Sequence, residues 1–523
     1  MRCASRHLWL VLAGLLVPLA TGAPAAVADE AASIYSPEAV VEIKLTLSEQ
    51  AEDELEAEPD EYVPGTFSLA ETDGGPGGVQ AFSPPIEVGI RLKGTGSFQD
   101  LGGKAAFKLK FNEVIKDQTF LGLKKMTLNN MVQDASMVHE TLAYEAFRSS
   151  GVPAPRTGYA YVKVNDHDYG LYLNVETLDV IALERMFGPF VAPPQHLYEG
   201  NPGVDVRPGA VAEFELDEGK KTERLDLEAL IAAVNSSGPT AWATRVAAVA
   251  DLEEMTRMWA LEKFAGHWDG YAGEADLFRP NNYYLYSDPS GRFQMLPTGT
   301  DQTWEHHTDF GEADGLMFGF CLEDPVCLEL FRAALRHDLV AIEAANLDSL
   351  AAQTAALLEP WQELEVEPRR PYSAGEIEAA VAATRKFIAG RPAEARDWLP
   401  PEPPAPEPPV SGPPAPPAGA PGPLLGGLRA HRAGRVLRTD LTALVAGRLS
   451  QRATIATRGG RVRICAVKEV SVAAGPAALE CRLGDAVRKR LQARYLRVKL
   501  RTQLTPSVDA PEIVTRRITL PRN

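Results

Sequence analysis

The chain has 523 residues, 45% of them hydrophobic and 24% charged, which suits two or three globular domains. The formal net charge of −17 hides an asymmetry: from Leu424 onward there are 21 Lys and Arg against 6 acids, so the tail is about +15 and the rest about −32. After the first thirty residues no run approaches the ~18 apolar residues of a membrane span.

Residues 1–28 read as a signal peptide. Arg2 and Arg6 give a positive start, Leu8 to Leu19 an apolar core, and Ala26-Val27-Ala28 a small-residue cleavage site before Asp29. Cys3 falls in the removed part, and no lipobox-like Cys follows. The mature chain is therefore expected to be exported, to the periplasm, cell surface or exterior, with no transmembrane anchor once the signal is removed. Four cysteines remain, in two local pairs, and in an exported chain the simplest pairing is Cys321–Cys327 and Cys465–Cys481. Neither spacing is the C-x2-C of a zinc site.

Val40 to Leu47 alternates like a half-buried strand, and Glu49 to Glu58 is an acidic helical stretch. Glu87 to Lys93 runs into the turn Gly94-Thr95-Gly96-Ser97, Ala106 to Phe111 alternates again, and Lys124 to Asn130 is another short strand. Met137 to Phe147 has helical periodicity and is stopped by Gly151, Pro153 and Pro155. Tyr159 to Asn165 and Leu171 to Glu176 flank a turn and make a hairpin. Asp251 to Gly266 is a long helix. A second hairpin follows, with strands Tyr283–Tyr286 and Phe293–Leu296 around Asp288-Pro289-Ser290-Gly291. Leu328 to Trp361 and Ala374 to Leu399 read as helices.

The expected fold class is α+β: a β-rich lobe over about 33–176, then a mostly helical lobe over about 177–399, the two forming residues 29–399. Residues 400–424, PPEPPAPEPPVSGPPAPPAGAPGPL, cannot form a packed core and read as a semi-rigid polyproline spacer. Residues 425–523 hold short alternating runs at Ala443–Leu449, Ala453–Thr457, Arg461–Val467, Tyr495–Leu500 and Ile513–Leu520, the signature of a small basic β-sandwich, with Cys465–Cys481 stapling neighbouring strands. That domain suits an anionic envelope polymer better than nucleic acid in an exported protein.

A β-lobe, one helix and a helical lobe is also the layout of phosphoryl-transfer enzymes of the protein-kinase type, where a Gly-bearing loop and a lysine hold phosphates and an Asn and an Asp hold Mg2+. The second hairpin carries Asn281-Asn282 at its entrance and Asp301 just past its exit. The stretches VGIRLKGTGSF (Val88–Phe98), AFKLKF (Ala106–Phe111), Leu121–Glu176, HWDGY (His267–Tyr271), NNYYLY (Asn281–Tyr286) and LPTGTDQTW (Leu296–Trp304) together resemble the CotH kinase family, named for a spore-coat protein. The resemblance implies a two-lobed atypical protein kinase-like fold. It implies ATP with Mg2+, or Mn2+ in its place, as cofactors, and transfer of phosphate to Ser or Thr of a protein substrate or of the chain itself.

Residue by residue, the resemblance implies Asp269 as the catalytic-loop Asp and Asn282 and Asp301 as metal ligands. Lys108 is the choice for the phosphate-contacting lysine, with Lys104, Lys124 and Lys125 as competitors. Arg91, Gly94 and Gly96 would lie near the phosphates, Glu140 would orient a lysine, and the strand ending at Glu176 would lead to the adenine. Two departures stand out. Where the family often has Trp-Asp-x-Asp, this chain has Thr298-Gly299-Thr300-Asp301, so the first carboxylate is gone. The gap from Asp269 to Asn282 exceeds the usual spacing, and Asp276, five residues before Asn281, is a rival to Asp269. A surface or envelope binding protein on a degenerate kinase fold is the alternative function.

Read without the family, these residues have plainer roles. Gly94-x-Gly96 alone makes a turn, Lys108 alone is a solvated strand residue, and Glu140 an exposed helix residue. The pair His306-His307 projects to opposite sides of an extended chain and makes a poor chelate. Trp259 and Trp268 belong in a core.

Overall fold

The computed structural model describes residues 29–401, except 74, 79, 193–194, 221–223, 238–240 and 275–279, and most of 425–520. The signal-like segment, the Pro-rich stretch from 402 to 424 and Asp276 lie outside the described residues. Packing divides the chain into two units, Met1–Pro403 and Pro404–Asn523. No helix among the described residues is long and apolar enough to cross a membrane.

The first unit begins with β1 (Val40–Thr46), α1 (Glu49–Ala57), β2 (Val63–Ala70), β3 (Ile86–Lys93), β4 (Ala106–Lys110), β5 (Lys125–Asn129), α2 (His139–Ser149), β6 (Thr157–Val164) and β7 (His167–Val175). The seven strands close into a barrel in the order β1-β2-β3-β4-β5-β7-β6. Six neighbours pair antiparallel; β1 and β6 close the ring in parallel, from Val40 opposite Tyr159 to Leu45 opposite Val164. Period-two alternation explains the lining: Ile43, Phe67, Ile90, Phe107, Leu109 and Val162 are all buried in one apolar cluster. Closure leaves no unpaired strand edge to attract another chain.

Ser48 caps α1 by accepting from Ala51 N, and Ala51 and Leu55 face inward while the acids face water. Sequence periodicity finds α1, β1, β3, β4, β5 and β6 to within about two residues, and it finds β7 but starts it four residues late, at Leu171 instead of His167. It misses β2, because Val63–Ala70 is broken by Pro64 and Gly65 and does not alternate.

Beyond the barrel come α3 (Val180–Phe187), β8 (His196–Gly200), β9 (Glu215–Glu218), α4 (Leu225–Asn235), α5 (Trp242–Val246), α6 (Leu252–Ala265), β10 (Tyr283–Ser287), β11 (Phe293–Pro297), α7 (Leu316–Glu323), α8 (Pro325–Ala345), α9 (Leu347–Gln362) and α10 (Ala374–Trp398). The region is less purely helical than the sequence suggests, since β11-β10-β8-β9 form a sheet of their own. The single helix expected over Leu328–Trp361 is two, broken at Asn346, which takes a left-handed φ of 50°. Cys321 on α7 is bonded to Cys327 on α8, across the corner capped by Asp324.

α6 runs through the middle of this region, with Met255, Met258, Trp259, Leu261 and Phe264 all buried. Asp251 caps its start and left-handed Gly266 its end. Glu254, buried on α6, accepts from Met295 N of β11 at 3.1 Å and so fixes the hairpin to the helix. Trp259 is core, as the sequence suggests, and His306 and His307 are exposed.

The second unit has two antiparallel sheets, β12-β13-β16 and β15-β14-β17-β18. The strands are β12 (Leu425–Ala433), β13 (Val436–Ala443), β14 (Gly447–Thr457), β15 (Gly460–Val472), β16 (Gly475–Arg482), β17 (Leu496–Pro506) and β18 (Glu512–Leu520). Leu437, Ile455, Ile464, Val498 and Leu500 form the principal buried cluster. The strand expected over Ala443–Leu449 is divided between the end of β13 and the start of β14. Cys465 and Cys481 are bonded, but they join β15 of one sheet to β16 of the other rather than partners within a sheet.

Burial holds the Glu254 carboxyl protonated up to about 8, against the Met295 N–H bond and the Arg257 charge that favour ionisation. Its folded pKa is above its unfolded one, so between pH ~4.5 and ~8 the unfolded chain releases a proton that the folded chain keeps, and stability falls as pH rises. This group alone gives a slope of about −1.4 kcal/mol per pH unit. Denaturant unfolding of Glu254→Gln across that range is expected to show a shallower slope than the parent by about that amount; parallel slopes would refute it.

Candidate active site

A cavity of about 460 Å3 opens between the barrel and the α6–hairpin region, and every non-cysteine site residue chosen from the sequence lines it. The barrel supplies Arg91, Gly94, Gly96 and Lys108; α2 supplies Glu140; the segment after β7 supplies Glu176; the far wall supplies Asp269, Asn282 and Asp301. Lys93, which sequence reasoning passed over, lines it too.

Asp269 sits on the loop that leaves α6. The buried carboxylate of Glu262 holds that loop by accepting from Tyr271 N at 3.1 Å and Ala272 N at 2.7 Å. His267, wholly buried, faces Glu262 at 3.6 Å through Nδ1 and the carbonyl of Gly299 at 3.2 Å through Nε2. It therefore ties the Asp269 loop to the segment carrying Asp301. Burial disfavours its charged form, but the charges of Glu262, Asp269 and Asp301 outweigh this and raise its pKa.

Both Asp269 carboxylate oxygens accept from carboxamides: Oδ1 from Asn281 at 3.2 Å and Oδ2 from Asn282 at 3.0 Å. Asn282 also donates to the Asp269 carbonyl at 2.9 Å. The long sequence gap between Asp269 and Asn282 is thus bridged in space, and paired asparagines at the hairpin entrance serve one aspartate.

Asn282 adopts a left-handed φ of 53°, and Gly299, across the hairpin's mouth, one of 56°. A Cβ on Gly299 would stand 2.4 Å from Asn282 Oδ1. The absence of a side chain at Gly299 is therefore what makes room for this Asn282 rotamer.

Asp301 follows, its carbonyl 3.1 Å from His139 Nδ1 at the start of α2. Asp134 accepts from Ser136 N at 2.9 Å and His139 N at 2.8 Å, bracing the same helix start. Burial raises the Asp301 pKa, Asp134 adds to the rise, and Lys93 and His267 oppose it. Glu140 is raised to about 8, by burial and then by Asp301, against Lys93 and a hydrogen bond from Asn129. Lys93 is lowered by burial and held up by Glu140 and Asp301. These three shifts describe one cluster on the cavity wall: buried Glu140 with half-buried Asp301 and Lys93.

Lys108 occupies another corner. It stands opposite Arg91 in the β3–β4 register. Burial and Arg91 lower its pKa, while Glu199 and Asp217 counter them. The Arg91 guanidinium reaches Asp60 at 3.2 Å. Lys104 forms a buried ion pair with Glu365, so it is engaged elsewhere, and neither Lys124 nor Lys125 lines the cavity. Glu140 bonds Asn129 and Tyr144 and makes no ion pair within 4 Å among the described residues. Gly94 takes a φ of 112°, which bends the chain sharply as β3 ends. The Glu176 carboxylate turns toward Arg156 and Arg185, and its N–H donates to the Arg156 carbonyl.

The donors suit a hard divalent cation: a carboxylate on Asp301 and a carboxamide oxygen on Asn282 lodged in the cleft that Gly299 leaves open. No three His, Cys, Asp or Glu side chains among the described residues cluster as a closed metal site. Other oxygens, such as those of a phosphate, would have to complete the shell.

Replacing Gly299 by Ala is expected to cost about 1–3 kcal/mol, from φ strain and displacement of Asn282. Gly299→Asp, with its larger side chain and charge, should cost at least as much. Thermal unfolding of the two variants checks this; an unchanged melting temperature in both would contradict it.

A family model described as CotH kinase protein matches residues 90–394. Inner spore coat protein H of Bacillus subtilis (strain 168) is 25% identical over 198 residues, covering 36% of this chain and 52% of that protein. An Inner spore coat protein H-like protein of the same organism is 30% identical over 97 residues, covering 18% of this chain and 30% of its own. The chain thus spans about half or less of the curated relatives it matches. The family match runs from the third barrel strand to α10, covers more than half of the chain, and takes in every residue of the cavity just described from Arg91 to Asp301; the chain belongs to the CotH kinase protein family.

Proposed function

We propose that this chain is an exported protein kinase that moves the γ-phosphoryl group of ATP to a Ser or Thr hydroxyl of a protein or of itself. The observation that supports it most is the meeting, in one cavity, of the Lys93–Glu140–Asp301 charge cluster with the Asp269–Asn282 pair. A volume of about 460 Å3 suits a nucleotide.

In this reading Asn282 and Asp301 hold Mg2+, or Mn2+ in its place, and the ion would neutralise phosphate charge. Lys93, rather than Lys108, contacts the phosphates, because its charge is the one shared with Asp301 and Glu140. Glu140 orients Lys93 electrostatically from α2. Gly94 and Gly96 bring backbone N–H groups close to the phosphates, with Arg91 nearby. Asp269 orients the acceptor hydroxyl and takes its proton as the hydroxyl oxygen bonds to phosphorus and the bond to the ADP oxygen breaks. For that, one carboxamide of the Asn281–Asn282 pair must yield its bond to Asp269. The adenine lies along Thr177 and Leu178, since the Glu176 N–H is already used. Lys108, facing Glu199 and Asp217, belongs to the nucleoside end of the cavity.

Two disulfides suit an extracytoplasmic setting. The names of the relatives point to a coat or envelope protein as acceptor. The basic C-terminal unit would hold the enzyme to an anionic envelope polymer.

A second reading is a binding protein that has lost transfer. It is favoured by one observation, that both Asp269 oxygens are occupied by asparagines.

Transfer of label from γ-32P-ATP to the chain itself or to a generic protein substrate decides between them. Wild type should label, and Asp269→Ala, Asp301→Ala and Lys93→Met should each fall by about 100-fold or more, with Lys108→Met milder. Equal labelling in Asp269→Ala and wild type would overturn the mechanism. Mg-ATP stabilisation without transfer in wild type would establish the second reading.

A further inference from the structure

A second cavity, of about 270 Å3, lies on the other side of α2, between that helix, the start of β6 and the N-terminus of α9. Three arginines line it: Arg148 on α2, Arg156 just before β6 and Arg185 on α3. Tyr35, Thr157 and Leu350 complete the part of the wall that matters here. We propose that this cavity is a binding site for a phosphate monoester or free phosphate.

The three guanidinium groups are held unequally. The one fully buried acid among their partners is Glu176, 3% exposed, and it is shared. Its Oε1 accepts from Arg156 Nη2 at 2.8 Å and from Arg185 Nε at 2.8 Å; its Oε2 accepts from Arg185 Nη2 at 2.5 Å. One carboxylate therefore fixes two guanidinium groups and neutralises one charge. The Arg156 ring contact with Tyr35, at 4.5 Å, fixes that group further.

The remaining acids are more exposed: Glu145, its side chain at 36%, lies at the cavity and pairs with Arg148, and Asp29, at 45%, pairs with Arg156. Ion pairs at such exposure are weak and exchange readily with another anion. Arg148 is positioned independently by donating to the Pro155 carbonyl. Each guanidinium has five donors in a plane, and Arg185 uses Nε and Nη2 on Glu176 and Ala154. The cavity thus presents three pre-oriented cations: Arg156 and Arg185 share the single charge of buried Glu176, and what is left is balanced by the more exposed Asp29 and by Glu145, which itself lines the cavity and would have to give way. A dianion with three acceptor oxygens matches that arrangement better than a single carboxylate.

The site shares two pieces with the main cavity. α2 carries Thr141, Glu145 and Arg148 toward this side and Glu140 and Tyr144 toward the other. Glu176 lines the main cavity while its carboxylate grips Arg156 and Arg185. An anion here would hold the helix that bears Glu140. Binding itself does not depend on the phosphotransferase reading.

The test is calorimetric titration of the full chain with inorganic phosphate, with a phosphoserine peptide and with the same peptide unphosphorylated. Wild type should bind phosphate, and Arg148→Gln/Arg185→Gln should weaken it by about 10- to 100-fold. Leu350→Glu removes no polar contact and adds a carboxylate at the rim; it should weaken binding similarly, which separates loss of the site from loss of the fold. Lys93→Gln should bind phosphate as wild type does, which separates this cavity from the main one. A phosphopeptide about 10-fold tighter than the ion supports a phosphorylated segment as the source, and equal affinity supports free phosphate. No binding of either up to about 10 mM, or binding lost in Lys93→Gln and kept in Leu350→Glu, would overturn the proposal.

Discussion

A buried carboxylate, Glu140, and a half-buried one, Asp301, lie within electrostatic reach of one half-buried lysine, Lys93, and much of the first unit serves to make that tolerable. Burying like charges is costly, so such a cluster persists only where the surrounding structure fixes it. The closed barrel ends β3 at Lys93 and turns the chain away at Gly94. Asp134 and His139 brace the start of α2, and His139 also holds the Asp301 backbone. On the far side, α6 anchors β11 through Glu254 and the Asp269 loop through Glu262. Barrel, helix and hairpin are thereby fixed to one another at a point of unfavourable charge, which is a physical mark of a functional site.

The hairpin shows how a sequence departure can be structural compensation. Gly299 read in isolation is a lost acid. In the fold it gives space to the Asn282 side chain, which with Asn281 caps Asp269. The separation of 12 residues between Asp269 and Asn281 does not keep them apart, because contact depends on where α6 ends and β10 begins rather than on loop length. Loop closure grows only slowly more costly with length.

Much of this was legible in the sequence, for definite reasons. Barrel strands such as β1 and β4 alternate because one face lies inside the barrel, and the β10–β11 turn is written in Asp288–Gly291. Family motifs drew nine scattered residues into what proved to be a single cavity. Three things were not legible. The parallel closure of β1 on β6 joins segments more than a hundred residues apart and has no local signature. Lys93 was hidden because it ends a strand of ordinary pattern beside a more conspicuous glycine turn, while Lys108 sat inside a recognisable motif; only the neighbouring charges separate the two. The arginine-lined second cavity is assembled from α2, α3 and the segment before β6, so no stretch of sequence announces it.

The reading of the main cavity comes down to whether Asp301 and Asn282 hold a metal together with a nucleotide. Mn2+ reports this directly, because its paramagnetic resonance signal changes on binding. Titrating Mn2+ into the full chain with ATP should reveal one bound ion per chain that requires the nucleotide and is lost in Asp301→Asn. Undiminished binding in Asp301→Asn, or no nucleotide-dependent binding in wild type, would contradict it.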